Sequence, residues 1–318
     1  MLLSVVVPCY NEDKVVEKFY TVVKQHIELN RLISDYEFIF IDDGSADKTL
    51  EKIKGLRKLD SRVRYISFSR NFGKEAGIYA GLKASKGDLT VLMDADLQHP
   101  PGLLKRMSEL IILKGYDSVG TIRKNRRGEG KMKSFLSSLF YKFINSISDT
   151  YIEQNSTDYR MMNRKFLDSV LELSEYNRFT KGIFSWVGHK NAMLEFTNIE
   201  REAGKSKWSI MNLFKYSLEG IISFSTVPLV VSSVMGIISF AVAIIIVIVF
   251  LFKFITVGEV VKGFPTTICA IFLLGGVQLL SIGVLGQYFS KAYLEIKNRP
   301  IYIAGETSED EEIQKQNR

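Results

Sequence analysis

Two carboxylates one residue apart, Asp94 and Asp96, follow the apolar run Val91-Leu92-Met93. Such a run reads as a buried strand, and in an open α/β sheet the carboxyl ends of strands are where ligands bind. Two anions set this close repel each other unless a cation neutralises them. Hard oxygen donors at this spacing suit Mg²⁺ or Mn²⁺, and either ion can also hold a diphosphate. A solvated turn after a strand would give the same Asp-x-Asp, so the pair takes its meaning from its surroundings.

Three other places repeat the pattern of an apolar run ending in polar groups. They are Pro8-Cys9-Tyr10-Asn11-Glu12, Asp42-Asp43-Gly44-Ser45 and Arg70-Asn71-Phe72-Gly73-Lys74. A carboxylate such as Asp42 can hydrogen-bond ribose hydroxyls or a base edge, and Tyr10 can stack on a base. The competing structural roles are a turn with a helix cap for Asp43-Gly44-Ser45 and a cap on the following helix for Asn11.

The elements behind these clusters alternate. Leu2–Val7, Glu37–Ile41, Val63–Phe68, Leu89–Met93 and Asp117–Thr121 read as strands. Glu12–Leu29, Asp47–Leu59, Lys74–Ala84 and Pro100–Leu113 read as the helices between them. Strict alternation predicts a doubly wound parallel sheet with right-handed crossovers. The Pro100-Pro101 pair suits a helix start, where a missing N–H is harmless.

The 318 residues carry a net charge of +7 and a pI near 9.1, which favours anionic partners such as phosphates or an anionic lipid surface. No aromatic-basic platform accompanies the charge, so nucleic acid is not expected as a partner. Positions 220–252 form a run of 33 residues without Asp, Glu, Lys or Arg, and positions 263–290 form another of 28. A bilayer core needs about 20 helical residues, so both runs predict membrane spans joined as a hairpin. The chain opens on a strand rather than a charged and apolar leader, and the basic N-terminal part is therefore expected in the cytoplasm. Lys291, Lys297 and Arg299 put the end of the second span on the same side. Residues 130–148 carry Phe135, Leu136, Leu139, Phe140, Phe143, Ile144 and Ile147 at helical spacing, flanked by Lys131, Lys133 and Lys142. They predict a basic amphipathic helix lying in the membrane interface, with an ordinary helix packed on the sheet as the alternative. Residues 208–224 predict a further helix approaching the first span. The tail after Ile303, with Glu306, Glu309, Asp310, Glu311 and Glu312, reads as an acidic disordered end. Cys9 and Cys269 are too far apart in context to pair.

The four strand-end motifs together, with Val7-Pro8 before the first and Glu75-Ala76-Gly77 after Lys74, resemble family 2 glycosyltransferases of the GT-A fold. More narrowly they resemble those acting on polyisoprenyl phosphates, the bactoprenol glucosyltransferase and dolichyl-phosphate mannose synthase group. The resemblance extends to Thr157-Asp158-Tyr159-Arg160, to Arg201 through Trp208, to the hairpin and to Asn298-Arg299-Pro300-Ile301-Tyr302. It implies an α/β GT-A fold, Rossmann-like with a doubly wound, mostly parallel sheet, over residues 1–208. A juxtamembrane helix (209–226), two transmembrane helices (227–290) and a cytoplasmic tail (291–318) would follow.

The resemblance also implies roles. Pro8, Tyr10, Asn11, Glu12 and Asp42 would contact the nucleoside. Asp94 and Asp96 would anchor Mg²⁺ or Mn²⁺ and the diphosphate, with Lys74, Ala95 and Gln98 beside them. Asp96, Asp158 and Arg201 would serve the reacting centre. Arg201 and Lys207 would belong to a basic loop closing over the phosphates, while Arg123 and Lys133 would touch the lipid phosphate. Membrane-surface charge is the alternative role for those last two. The implied reaction is transfer of a sugar from a nucleotide sugar, UDP-glucose or a UDP-N-acetylhexosamine, to undecaprenyl phosphate in a bacterial plasma membrane. Further copies of the chain are expected as partners. A processive polysaccharide synthase and a non-catalytic nucleotide-sugar-binding protein are the competing readings. Two positions depart from the group: His99 stands where Asp is usual and is expected as an exposed turn residue, with a weak metal ligand as the alternative, and Gln287 stands where Glu is frequent.

Overall fold

A computed structural model of the chain describes residues 1–124, 145–146, 153, 155–197, 222, 225–257 and 263–310. The predicted interfacial helix (apart from Asn145 and Ser146), Lys133, Arg201, Lys207 and most of the approach to the first span lie outside the described residues.

Four β/α steps and a fifth strand open the chain: β1 (Leu2–Cys9), α1 (Val16–Glu28), β2 (Asp35–Asp42), α2 (Thr49–Leu59), β3 (Val63–Phe68), α3 (Lys74–Ala84), β4 (Leu89–Leu92), α4 (Leu103–Lys114) and β5 (Ser118–Arg123). Then come β6 (Ser156–Asn163), α5 (Arg164–Glu172), α6 (Thr180–Trp186) and β7 (Asn191–Phe196), the long helices α7 (Val227–Val257) and α8 (Phe264–Ile296), and β8 (Ala304–Thr307). The eight strands form one sheet in the order β7-β5-β6-β4-β1-β2-β3-β8.

β3, β2, β1 and β4 are parallel, as the alternation predicts. Their β-branched runs are buried on both faces, which is what a parallel sheet covered by helices requires. Val5 and Val7 point into a core shared with Phe19, Ile53 and Met107, whereas Val6 points into the opposite core with Ile78, Phe166 and Ile183. That alternation follows from the two-residue period of a strand. On the second face α3 lies unusually close to β1, because a side chain at Gly81 would meet Val6 Cγ1 at 2.2 Å.

The sheet departs from strict parallelism in two places. β6 inserts between β4 and β5 and runs antiparallel to both, so β5 is not the neighbour of β4. β8 runs antiparallel to β3 at the other edge. The tail is therefore not disordered over 304–310. Tyr302 stacks on Phe68 with ring centroids 4.8 Å apart, and the Ser69 N–H donates to the Ile303 carbonyl at 3.0 Å. Two of the acidic residues that suggested disorder have basic partners: Lys54 with Glu306 at 2.6 Å, and Arg64 with Glu309 at 2.8 Å. Helix boundaries also shift slightly. Pro100 and Pro101 form the turn before α4, whose Leu103 and Leu104 N–H groups donate to their carbonyls.

α7 and α8 pack against each other. Within them, residues 227–249 and 270–296 are long and apolar enough to cross a membrane. At about 1.5 Å per residue the first stretch spans about 34 Å, more than a hydrocarbon core of about 30 Å. Ile237, Phe240, Phe272 and Phe289 are each about two-thirds or more exposed, an apolar surface suited to lipid rather than water.

Candidate active site

The carboxyl ends of β1, β2, β3 and β4 meet at one edge of the sheet, and the antiparallel direction of β6 brings its beginning to that same edge. Leu92 of β4 is in register with Arg160 of β6. Continuing that register by two residues sets Asp94 opposite Asp158. The Lys74 side chain, from the first residue of α3, fills the space between them. Its Nζ lies 2.7 Å from Asp94 Oδ1, 3.0 Å from Asp94 Oδ2 and 2.6 Å from Asp158 Oδ2.

The electrostatics follow from this geometry. Partial loss of water around the ammonium would lower the Lys74 pKa, but the facing Asp158 and Asp94 carboxylates overcome it and hold the ammonium well above the usual lysine range. Burial works against the charge on Asp158 too, and Lys74, helped by Lys181, reverses this and holds Asp158 well below the usual carboxylate range. Asp94 is also depressed, with burial opposed chiefly by Lys74. All three groups are charged at neutral pH.

Lys74 is placed by its backbone. The buried Asp43 carboxylate at the end of β2 accepts the Phe72 N–H at 2.6 Å and the Gly73 N–H at 2.9 Å. Gly73, with φ of 96°, then turns the chain into α3. Gly44 has φ of 65°, and a Cβ there would lie 2.6 Å from the Arg70 carbonyl carbon, so glycine is required where the two loops touch. Burial raises the Asp43 pKa despite the two N–H donors. Behind Lys74, Glu75 accepts the Thr180 N–H at 3.0 Å and its hydroxyl, fixing the start of α6. From α6, Lys181 Nζ donates to the Ser156 carbonyl at 3.0 Å.

The turn after β4 is also held internally. The Gln98 N–H donates to Asp96 Oδ1 at 3.1 Å, and Leu97 adopts φ of 56°. His99 corrects the expectation of an exposed turn residue. It is 1% exposed, stacked on Tyr159 with centroids 5.1 Å apart and set edge-on to Phe196. Its Nδ1 accepts the Asp94 N–H at 3.4 Å. Ala95 and Gln98 are buried in the same turn.

The neighbouring strand ends carry the remaining predicted residues. Asp42 is buried and accepts the Ser67 hydroxyl at 2.9 Å and the Ser45 N–H at 3.3 Å, and a carboxylate retains lone pairs beyond these two bonds. Asn11 does not cap the helix that follows it. Its side chain accepts the Ala46 N–H and its own N–H donates to Ser45 Oγ, both at 2.9 Å, so it ties the β1 and β2 loops together. The Glu12 N–H donates to Thr49 Oγ1 at 2.8 Å. Pro8 sits at the end of β1 and Tyr10 is 42% exposed just beyond it. Arg123 ends β5 at this same edge, separated from β4 by β6. Its N–H donates to the Asn155 carbonyl, and its Nε is buried without a hydrogen-bond partner among the described residues.

Sequence reasoning found Asp94, Asp158 and Lys74 separately but missed the ion-paired cluster they form. It also missed Asp43, Glu75 and Lys181 as the groups that place the cluster. For Asp43 a signal existed in the paired acids Asp42-Asp43 ahead of a glycine-led helix.

The family model described as Glycosyl transferase family 2 matches residues 4–171. The chain is 43% identical over 307 residues to "Putative glycosyltransferase CsbB" of Bacillus subtilis, covering 96% of this chain and 92% of that protein. It is 40% identical over 303 residues to the bactoprenol glucosyl transferase of Shigella phage SfX, covering 95% and 98%. Among solved structures, glucosyl-3-phosphoglycerate synthase from Mycobacterium tuberculosis, in complex with Mn²⁺, UDP-glucose and phosphoglyceric acid, matches with a TM-score of 0.46. Its identity is 20%, over 70% of this chain and 77% of that one. With its strand-end motifs gathered at one sheet edge and the family model spanning more than half its length, the chain belongs to glycosyl transferase family 2.

Proposed function

We propose that this protein transfers a sugar from a UDP-linked donor, UDP-glucose or a UDP-N-acetylhexosamine, to a polyprenyl phosphate such as undecaprenyl phosphate. The observation that carries the reading is the meeting of Asp94 from the β4 end and Asp158 from β6 on one ammonium, at the edge where Tyr10 and Asp42 also stand. The naming of full-length relatives as bactoprenol glucosyl transferases supports the lipid acceptor, and α7 and α8 are long and apolar enough to anchor the protein in a membrane.

In this reading a phosphate oxygen of the acceptor attacks the anomeric carbon from the face opposite the departing UDP, so configuration inverts. The acceptor is already ionised and needs little help from a base. Asp158, held strongly ionised by Lys74, is correspondingly a weak base and serves to position the lysine. Tyr10 offers a stacking face for the uracil, and Asp42 an acceptor for ribose hydroxyls.

The donor set fits a divalent cation bound together with the diphosphate. Asp94 and Asp96 offer hard oxygens on one turn, and Mg²⁺ and Mn²⁺ commonly take one or two carboxylates plus substrate phosphate oxygens. Among the described residues no group of three or more His, Cys, Asp or Glu could hold a metal alone. When bound, the cation would stabilise charge on the leaving diphosphate. Arg201 and Lys207 are assigned to the cationic loop over the phosphates. Arg123, at the same sheet edge, is assigned to the lipid phosphate. Both helices cross the plasma membrane, with the catalytic domain on the cytoplasmic side.

The test is an assay of membranes containing the protein with a panel of UDP-sugars and undecaprenyl phosphate, with mass spectrometry of the lipid product. One sugar should appear on the lipid as a monophosphate-linked product, vanish with chelator and return with Mg²⁺ or Mn²⁺. Turnover to water or to protein alone, with no glycolipid, would refute the acceptor. Full turnover in excess chelator would refute the cation.

A further inference from the structure

We infer that Lys74 is the site's resident counter-cation, occupying Asp94 while the donor is absent and leaving it when the donor and its divalent ion enter together. This rests on the proposed reading that Asp94 and Asp96 hold the ion. Lys74 Nζ lies within 3.0 Å of both Asp94 oxygens. A divalent ion on either oxygen, at about 2.1 Å, would stand within about 5 Å of the ammonium. Like charges that close disfavour each other, so ion and ammonium compete for one carboxylate.

Two features let the side chain yield without disturbing the fold. The backbone ahead of it is pinned by Asp43 through Phe72 and Gly73, whereas the Lys74 side chain itself is 46% exposed and unbranched. Asp158 offers an oxygen 2.6 Å away, so the ammonium can release Asp94 and keep a carboxylate partner. With Asp94 covered by the ammonium and no protein-only metal cage among the described residues, the ion's coordination is completed only by the donor diphosphate. Cation and donor should therefore bind in concert. The displaced ammonium then remains on the Asp158 side, available to the incoming anionic acceptor.

The experiment is Mn²⁺ titration of the full-length protein in detergent, followed by electron paramagnetic resonance, with and without UDP. Wild type, Lys74→Met, Lys74→Arg and Asp96→Asn are compared. Without UDP, Lys74→Met should bind Mn²⁺ roughly tenfold or more tightly than wild type, the order expected for removing a like charge next to the site, and Lys74→Arg should resemble wild type. UDP should tighten Mn²⁺ binding far more in wild type than in Lys74→Met. Equal or weaker Mn²⁺ binding by Lys74→Met without UDP would overturn the counter-cation role. If Asp96→Asn still abolished binding in that case, the metal reading would stand. Absence of Mn²⁺ binding to wild type even with UDP would overturn the metal reading, and this inference with it.

Discussion

Replacing Asp43 by alanine is the perturbation that most directly tests how the site is built. Its carboxylate is buried and accepts two backbone N–H groups, from Phe72 at 2.6 Å and Gly73 at 2.9 Å. Leaving a buried donor unsatisfied costs about 1–3 kcal/mol, so two such groups set a gross loss of about 2–6 kcal/mol. Part of that is returned because a buried carboxylate no longer has to be desolvated, a cost visible in its raised pKa. A net loss of about 2–4 kcal/mol remains. For a domain of this size each kcal/mol moves the melting point by about 2–4 °C, giving a fall of roughly 5–15 °C. Asp43→Asn keeps one acceptor oxygen but turns an NH₂ toward the other donor, so it should fall between alanine and wild type. Because the Phe72-Gly73 turn places Lys74, glycosyl transfer at 20 °C, where the variant is still folded, should drop by about tenfold or more. Thermal unfolding of the purified full-length protein and product formation at 20 °C give both numbers. An Asp43→Ala protein melting within about 1 °C of wild type, with undiminished turnover, would refute the reasoning.

Two further outcomes are expected. A cysteine at Gly258, between the two helices, should react with an impermeant maleimide on intact cells, while one at the exposed Arg299 should not; reaction of both would refute the proposed orientation. Arg201→Ala should lower turnover by roughly two orders of magnitude, and Arg201→Lys should recover only part, because lysine cannot offer the two parallel hydrogen bonds of a guanidinium. Wild-type turnover by Arg201→Lys in both neutral and anionic lipid would leave the phosphate-clamp role unsupported.

The half of the sheet from β1 to β4 was readable because each strand is a mostly apolar run followed by a helix-forming segment, a local signal. The strand ends were readable for the same reason, and so were the two membrane-type helices. β6 was not. Its sequence, Ser-Thr-Asp-Tyr-Arg-Met-Met-Asn, alternates weakly and becomes a strand through pairing with β4 and β5, partners fixed only by tertiary structure. His99 sits in a short polar turn, and what buries it comes from Tyr159 of β6 and Phe196 of β7. The tail misled for a related reason. Glu306 and Glu309 look solvated beside one another, yet Lys54 and Arg64, which neutralise them, lie more than 240 positions earlier.

That tail strand also sets an order of manufacture. β8 pairs with β3 but follows both long helices in the chain. Until it has been synthesised, the outer edge of β3 presents unpaired N–H and C=O groups, the kind of edge on which chains associate wrongly. A domain made first on the ribosome therefore cannot close its own sheet. It must wait for the two long helices to be made and for Ala304–Thr307 to return, so a chain halted at the second helix would carry an open edge.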